Sequence, residues 1–253
     1  MTALSFGVAA VFLPLFPLSM VFNAGFNRIR NAYLRAILLL IWPQIGLSLL
    51  YATDLSAPRW FLSLALFTSV LYAFRAVSLR EVGQWLGYLA TSAWALLWVV
   101  ALFTHTDAQL VRVYALGFSL PLMLLALLGG RLEQGFGAAY TGLYGGLALS
   151  VPRMSGVLVC VVLAIVATPL FPGFFAMLAT VIATTPTAPL AALSIAGIWL
   201  LWSWAGVRLL QGLIVGPASA GEAPDLSLAS TLGYATVLAA LIIGGLYFTG
   251  GPQ

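Results

Sequence analysis

The chain has 253 residues, of which 62% are hydrophobic and only 6% charged. Soluble domains carry about 25% charged residues, so this composition excludes a soluble globular fold and predicts one integral membrane domain. The net charge of +4 comes from ten arginines and six acids, without a lysine. The arginines are scattered over polar joints, which is typical of topology signals and argues against a nucleic-acid surface. A single cysteine, Cys160, excludes an internal disulfide and a cysteine-ligated metal cluster.

The N-terminal run is apolar from its start, and its first positive charges, Arg28 and Arg30, follow it. That order is the reverse of a cleavable signal peptide, so we interpret the run as a spanning helix. Short polar joints separate the later apolar runs, and we find no clear internal repeat. The sequence predicts an all-α membrane protein with eight spans, at about 3–23, 35–53, 58–75, 84–104, 110–130, 154–185, 189–208 and 228–249.

The arginines divide unequally between the two sides of these spans. One side receives Arg28, Arg30, Arg35, Arg75, Arg80, Arg131, Arg153 and Arg208, and the other receives Arg59 and Arg112. The positive-inside rule makes the first side cytoplasmic and both termini periplasmic, in a bacterial inner membrane. We interpret Trp42, Trp60 and Trp85 as interfacial anchors near span ends.

The run 154–185 is uncharged and about 32 residues long, or roughly 48 Å as a straight helix, against a hydrocarbon core of about 30 Å. Two prolines and a glycine at 169–173 predict a helix broken near mid-membrane. Broken helices line ion and substrate paths in transporters. The candidate path residues are therefore Pro169, Pro172, Gly173, Phe174 and Met177.

The segment 134–150 is rich in glycine but mildly apolar, and we expect a short connecting helix or an ordered loop there. Gly145 and Gly146 either permit a close backbone approach or form a flexible joint.

From about Tyr72 to Gly216 the sequence resembles the second half of the antiporter-like subunits of respiratory complex I and of Mrp-type cation/proton antiporters. The matching motifs are Ala73-Phe74-Arg75, Arg131-Leu132-Glu133, Gly142-Leu143-Tyr144-Gly145-Gly146-Leu147, Pro152-Arg153, Thr168-Pro169-Leu170-Phe171-Pro172-Gly173-Phe174-Phe175, Arg208 and Gly216-Pro217. The resemblance implies that residues 1–53 form an N-terminal helix pair and 58–249 the family's second repeat. It also implies membrane-subunit partners, in assemblies that include DAB-type bicarbonate pumps with a soluble zinc-dependent, carbonic-anhydrase-like partner, or complexes with a redox subunit.

The resemblance fails at the positions that carry protons in the family. The position just after the break, commonly Lys or Glu, is Met177, and two relay positions in the preceding core helix are Leu116 and Leu120. Elsewhere, Arg35, Arg112 and Arg208 sit at predicted span ends, where snorkelling explains them. The only histidine, His105, lies in an outward loop, where it is either solvated or a pH sensor.

Neighbouring charges at the cytoplasmic edge suggest polar contacts there. We expect Glu81 to pair with Arg80, and Glu133 with Arg131, and Arg208 belongs to the same edge. Neutral polar side chains such as Asn23, Ser92 and Ser119 remain available for bonds between helices.

These observations favour a shortened antiporter-like subunit that scaffolds a larger proton- or cation-coupled complex, or completes an ion path within it. The alternative is an independent small solute transporter that binds its substrate on the broken-helix backbone. The sequence shows no nucleophile–base pair and no phosphate-binding glycine loop, so we expect neither catalysis by this chain nor a cofactor.

Overall fold

The computed structural model describes residues 2–52, 59–103, 107–143, 145–217 and 224–249. In these residues the regular structure is helical. In chain order the helices are α1 (Thr2–Phe12), α2 (Leu18–Arg28), α3 (Ala32–Tyr51), α4 (Arg59–Ser78), α5 (Val82–Phe103), α6 (Ala108–Phe136), α7 (Leu147–Ser150), α8 (Pro152–Ile165), α9 (Pro172–Thr184), α10 (Pro189–Ile214) and α11 (Leu228–Thr249). The protein is a multi-pass membrane protein.

Among the described residues, five helices are long and apolar enough to cross a membrane by themselves: α3, α4, α6, α10 and α11. The sequence predicted eight spans. The difference arises partly because α8 and α9 have 14 and 13 residues, which is about 20 Å each against a core of about 30 Å. Helices α1 and α2, of 11 residues each, are shorter still. α5 has 22 residues but carries Gln84 and several tryptophans on a largely buried surface.

The predicted break in the run 154–185 is confirmed, since α8 ends at Ile165 and α9 begins at Pro172. The predicted single helix at 3–23 is wrong. There the chain forms α1 and α2, separated by a break that holds Pro14 and Pro17. Both breaks contain the same tetrapeptide, Pro-Leu-Phe-Pro, at 14–17 and 169–172. This short shared motif is the sequence feature that the two breaks have in common.

Helix α5 forms the centre of the core, and Trp85, Trp94 and Trp98 along it are fully buried. Its neighbours α4 and α6 pack along it, while α3 packs on α6 and α10 on α4. Helices α5 and α6 are antiparallel, because Val82 at the start of α5 contacts Gly129 near the end of α6.

The segment after α6 is an ordered loop, as predicted, and it is bound to two other helix ends. The Val82 N–H donates to Ala139 O at 3.0 Å, and the Thr141 N–H donates to Arg80 O at 2.8 Å. Past Tyr144, which lies outside the described residues, the chain passes close to the end of α10. A Cβ at Gly145 would lie 2.9 Å from Val215 O, so the close-approach interpretation of the two glycines is correct.

Candidate functional site

The break between α8 and α9 leaves carbonyl groups without helical partners, and side chains satisfy them. The indole of Trp199 donates to both Val166 O (3.2 Å) and Ala167 O (3.1 Å). The hydroxyl of Thr168 donates to Leu163 O at 2.9 Å. Without such partners, each polar group buried in an apolar environment would cost several kcal/mol, by order of magnitude.

The backbone at this break is strained. Ala167 has φ +56° and Leu170 has φ +96°, in a region that residues with a Cβ rarely adopt. Pro169 and Leu170 are exposed on the surface of the chain, whereas Phe171 is buried. The break therefore has an outward side and a side packed in the core.

The inner side of the break packs on glycines of two other helices. A Cβ added to Gly117 of α6 would lie 2.7 Å from Pro172 Cβ, and one added to Gly245 of α11 would lie 3.0 Å from Pro172 N. Gly173 contacts Phe118. The absence of a side chain at Gly117 is what allows α9 to begin against α6.

The remaining predicted path residues lie in α9. Phe174 is partly buried and its ring packs edge-on to Trp199, with centroids 5.3 Å apart. Met177 is 1% exposed. The other predicted relay positions are also apolar: Leu116 is partly exposed, and Leu120 packs against the core. Of the predicted path residues, Pro172, Gly173 and Met177 are therefore buried together, whereas Pro169 is exposed on the surface of the chain.

The break between α1 and α2 is closed by the same type of contact. Trp42 and Trp98 donate their indole N–H groups to Val11 O (3.2 Å) and Leu13 O (2.9 Å). The Phe16 N–H donates to Thr68 Oγ1 at 3.1 Å. Trp42 therefore lies at mid-helix beside a break, and the interpretation of it as an interfacial anchor is wrong.

Trp85, also interpreted as an anchor, is 1% exposed, while Trp60 is 64% exposed. Only an exposed indole can contact the membrane–water interface directly. The placement of Trp60 is thus compatible with an anchor, and that of Trp85 is not.

The two broken helices run in opposite directions. α1–α2 is antiparallel to α5, because Leu13 bonds to Trp98 late in α5 and Asn23 bonds to Thr91 earlier in it. α8–α9 is antiparallel to α6, because Met154 lines one cavity with Phe136 at the end of α6, while Pro172 packs on the first half of that helix. Since α5 and α6 are themselves antiparallel, α1–α2 and α8–α9 are inverted relative to each other.

Between the two breaks, neutral polar groups join the helices. Ser69 and Ser92 exchange bonds between α4 and α5, with Oγ–Oγ 3.0 Å, and Trp202 of α10 donates to Ser92 Oγ at 2.9 Å. Trp94 donates to Ser119 Oγ at 3.3 Å. The prediction that these hydroxyl groups bond between helices is correct.

Asn23 is the most polar buried group near the first break. Its amide donates to Thr91 Oγ1 and to Ser19 O, both at 2.8 Å. These groups can accept a hydrogen bond but cannot take up a proton near neutral pH.

Charged side chains in the described residues lie in joints or in the first and last two turns of helices. Arg35 is 7% exposed, so snorkelling does not explain it. Its guanidinium pairs with Glu133 at 3.4 Å and its Nε donates to Ile29 O at 2.5 Å. Arg112 is partly exposed, and His105 lies outside the described residues.

The expected edge pairs are wrong, because the ion pair that the described residues form is Arg35–Glu133. Residues one or two positions apart on a helix do not face each other, so Glu133 cannot easily pair with Arg131. Glu81 instead forms a backbone bridge with Tyr140. At the same edge, Arg80 and Arg208 line one cavity of about 600 Å³.

Sequence reasoning missed Asp225, which caps α8 from the segment before α11. Its carboxylate accepts from the backbone N–H groups of Arg153 (2.9 Å), Met154 (2.9 Å) and Leu226 (2.7 Å). Desolvation acts to raise the pKa of Asp225, but these hydrogen bonds and the charge of Arg153 hold that pKa below its usual range. No sequence signal pointed to this cap, because Asp225 lies more than 70 residues after the start of α8.

The space beside the second break is small and apolar. A cavity of about 10 Å³ lies between Leu89, Phe118, Ile165 and Trp202. That volume holds about one water molecule, and such a molecule needs at least two polar partners. Three larger cavities lie at helix ends or between α1, α2 and α3.

The fold resembles chains of three solved membrane complexes. Respiratory complex I from Thermus thermophilus with bound NADH matches with a TM-score of 0.85 and 21% identity, over 97% of this chain and 55% of that chain. The Mrp complex from Dietzia sp. DQ12-45-1b matches with a TM-score of 0.82 and 17% identity, over 97% and 56%. The membrane-bound sulfane sulfur reductase, an archaeal respiratory membrane complex, matches with a TM-score of 0.82 and 16% identity, over 96% and 52%.

No family model matches the sequence, and no curated protein does. The chain spans about half the length of the solved chains it matches. The structural likeness includes the N-terminal helices, which the sequence resemblance did not reach. The chain therefore shares its fold with chains of respiratory and Mrp membrane complexes, in agreement with the sequence resemblance.

Proposed function

We propose that this chain is an accessory membrane subunit of a larger proton- or cation-coupled complex. In that role it packs against other membrane subunits and contributes part of an ion path, without pumping alone. The observation that carries the proposal is the inverted pair of broken helices, built as in ion-translocating subunits but without a charged side chain near either break in the described residues.

The closure of the breaks supports a scaffolding role. The carbonyls of Val11, Leu13, Val166 and Ala167 are all bonded to tryptophan indoles. Broken helices that bind substrate present free backbone groups to a cavity. Here those carbonyls are occupied by the protein itself, which favours a subunit over an independent solute transporter.

The side chains near the breaks support the same conclusion. Moving protons through a bilayer requires groups that bind and release them at depth, or a continuous chain of water. Met177 is apolar and buried, and the small cavity lined by Phe118 and Ile165 has room for about one water. An ion path through this region therefore requires a titratable group from a partner.

The partners that fit are membrane subunits of complex I-like, Mrp-like or DAB-type assemblies in a bacterial inner membrane. DAB-type assemblies would add the soluble zinc-dependent partner, and respiratory assemblies a redox subunit. Pro169 and Leu170, exposed at the second break, are where a neighbouring helix would meet this chain.

A purification in a gentle detergent tests the partnership. The tagged chain, expressed from its native locus, should elute in a complex with at least one other multi-pass protein. Mass spectrometry of that complex then distinguishes a carbonic-anhydrase-like, a redox or a cation-antiporter partner. Elution of the chain alone at native expression level contradicts the proposal.

Reconstitution tests whether the chain pumps alone. Proteoliposomes containing only this chain, with an internal pH dye, should show no proton flux above empty liposomes under an imposed sodium, potassium or bicarbonate gradient. Flux from the isolated chain would instead support the independent transporter.

A further inference from the structure

A polar cavity at the arginine-rich edge is not explained by the proposed function. It has a volume of about 600 Å³ and lies between the end of α4, the segment 140–143 and the last turns of α10. Two of its lining residues, Arg80 and Arg208, are cationic, and its lining contains no acidic residue. Both arginines are exposed, and neither forms an ion pair in the described residues.

The other lining groups are donors suited to an oxyanion. Tyr140 and Thr141 contribute hydroxyl groups, and Gln211 contributes an amide. Guanidinium groups bind phosphate through paired charge-assisted hydrogen bonds, which hydroxyl and amide donors complement. The volume is within the usual range of ligand pockets, about 300–1,000 Å³.

Backbone bonds hold the walls of the cavity in place. The Thr141 N–H donates to Arg80 O at 2.8 Å, which joins the segment 140–143 to the end of α4. The Gly142 N–H donates to Gly212 O at 2.9 Å, which joins the same segment to α10. Both arginines are therefore carried by a frame that exists before any ligand binds.

An apolar stripe on α10 leads from this cavity along the helix. Leu200, Trp204 and Val207 are 70%, 57% and 52% exposed, and they share a face with Arg208 and Gln211 by the spacing of three and four residues. A soluble anion would make no favourable contact with an apolar stripe of this kind. The acyl chains of a lipid whose head group occupies the cavity would lie along it.

We propose that this cavity binds the phosphate of an anionic phospholipid, with Arg80 and Arg208 as the two charged ligands of the phosphate. The lipid chains run down the exposed face of α10. Clustered arginines at a cytoplasmic membrane edge attract anionic lipid in general, and here a preformed cavity adds a specific position.

Native mass spectrometry of the detergent-purified full chain tests the site. The probes are phosphatidylglycerol, phosphatidylcholine and inorganic phosphate, each titrated separately. We expect one phosphatidylglycerol to bind with preference over phosphatidylcholine, and R80Q/R208Q to weaken that binding at least about tenfold. R80K/R208K, which keeps both charges but loses the paired guanidinium hydrogen bonds, should bind more weakly than the wild type and more tightly than R80Q/R208Q.

The matched control is R28Q/R30Q, which removes two exposed arginines from the same predicted side. It should leave binding of the single phosphatidylglycerol unchanged. Equal weakening by both double variants would overturn the proposal, because the attraction would then be diffuse. Equal binding of both lipids would overturn it, as would saturable binding of inorganic phosphate without lipid preference. Thermal unfolding of each variant confirms that a loss of binding is not a loss of fold.

Discussion

Single tryptophan side chains stabilise the irregular backbone of this protein. The indoles of Trp42, Trp98 and Trp199 each reach a carbonyl that has lost its helical partner at a break. An indole is well suited to this role because it has one donor and a large apolar surface. Replacement by another aromatic residue keeps the surface but removes the donor.

Trp199→Phe should therefore lower the stability of the chain. Phenylalanine has no indole N–H, so Val166 O and Ala167 O would both lose their hydrogen bond to residue 199. The expected cost is about 1–3 kcal/mol, measured as a fall in the unfolding midpoint in detergent. Trp204→Phe in the same helix is the control, because Trp204 is 57% exposed and should change the midpoint little. Equal effects of the two substitutions would show that the bond at the break is unimportant.

At the scale of elements, the two halves of a broken helix are held in place by residues of other helices and segments. α9 begins with Pro172, which rests on Gly117 of α6. The N-terminus of α8 is capped by the carboxylate of Asp225, which lies in the segment before α11. The break thus depends on two other helices, which its own sequence does not reveal.

Gly117→Ala should separate α9 from α6. The added Cβ would lie 2.7 Å from Pro172 Cβ, and because that atom belongs to a rigid ring, the helices must shift. Overpacking of this kind costs about 1–3 kcal/mol. Gly197→Ala in α10 meets nothing within 4 Å and should be neutral or slightly stabilising through helix propensity. Thermal unfolding of the two variants, side by side, measures the difference, and a neutral Gly117→Ala would contradict the observed packing.

Asp225→Ala should destabilise the α8 end in a pH-dependent manner. The lost cap is worth about 0.5–2 kcal/mol near neutral pH. Because the folded pKa of Asp225 lies below its ordinary value of 3.8, the contribution is complete above that value and disappears as pH falls through the folded pKa. The difference in unfolding midpoint between wild type and variant should therefore narrow below about pH 4. A difference that stays constant from pH 6 to pH 3 would show that the charge of Asp225 plays no part.

At the scale of the whole molecule, Arg35 links the first broken helix to the rest of the bundle. Its guanidinium lies 5.9 Å from the ring of Phe26 in α2 and 3.4 Å from Glu133 in α6. It also lies against Gly83 at the start of α5. Four helices thus meet around one buried charge.

Glu133→Gln should weaken this junction by leaving the Arg35 charge without its carboxylate. The expected loss is about 1–3 kcal/mol, below the value for a fully buried pair, because the Glu133 side chain is 33% exposed. The double variant Arg35→Met/Glu133→Gln should lose less than the sum of the single changes. Glu81→Gln, with no ion pair in the described residues, is the control. Additive losses in this double-mutant cycle would exclude a direct interaction.

The sequence predicted the second break and missed the first for a physical reason. The run 154–185 is too long for one span, so its prolines had to mark an interruption. The run 3–23 has the length of an ordinary span, and Pro14 and Pro17 then suggest at most a kink. The sequence analysis paired Glu133 with Arg131 because the two residues are close in the chain. In the structure Glu133 pairs with Arg35, because α3 packs on α6.

The inversion of the two broken helices also limits how strongly a membrane potential acts on their backbones. Every helix carries a macrodipole, equivalent to about half a positive charge at its N-terminus and half a negative charge at its C-terminus. In α1–α2 and α8–α9 these dipoles point in opposite directions, so the forces that a transmembrane potential exerts on them largely cancel. The two broken helices together therefore contribute little to any voltage sensitivity, which must originate in the other helices and in charged side chains such as Arg35 and Glu133.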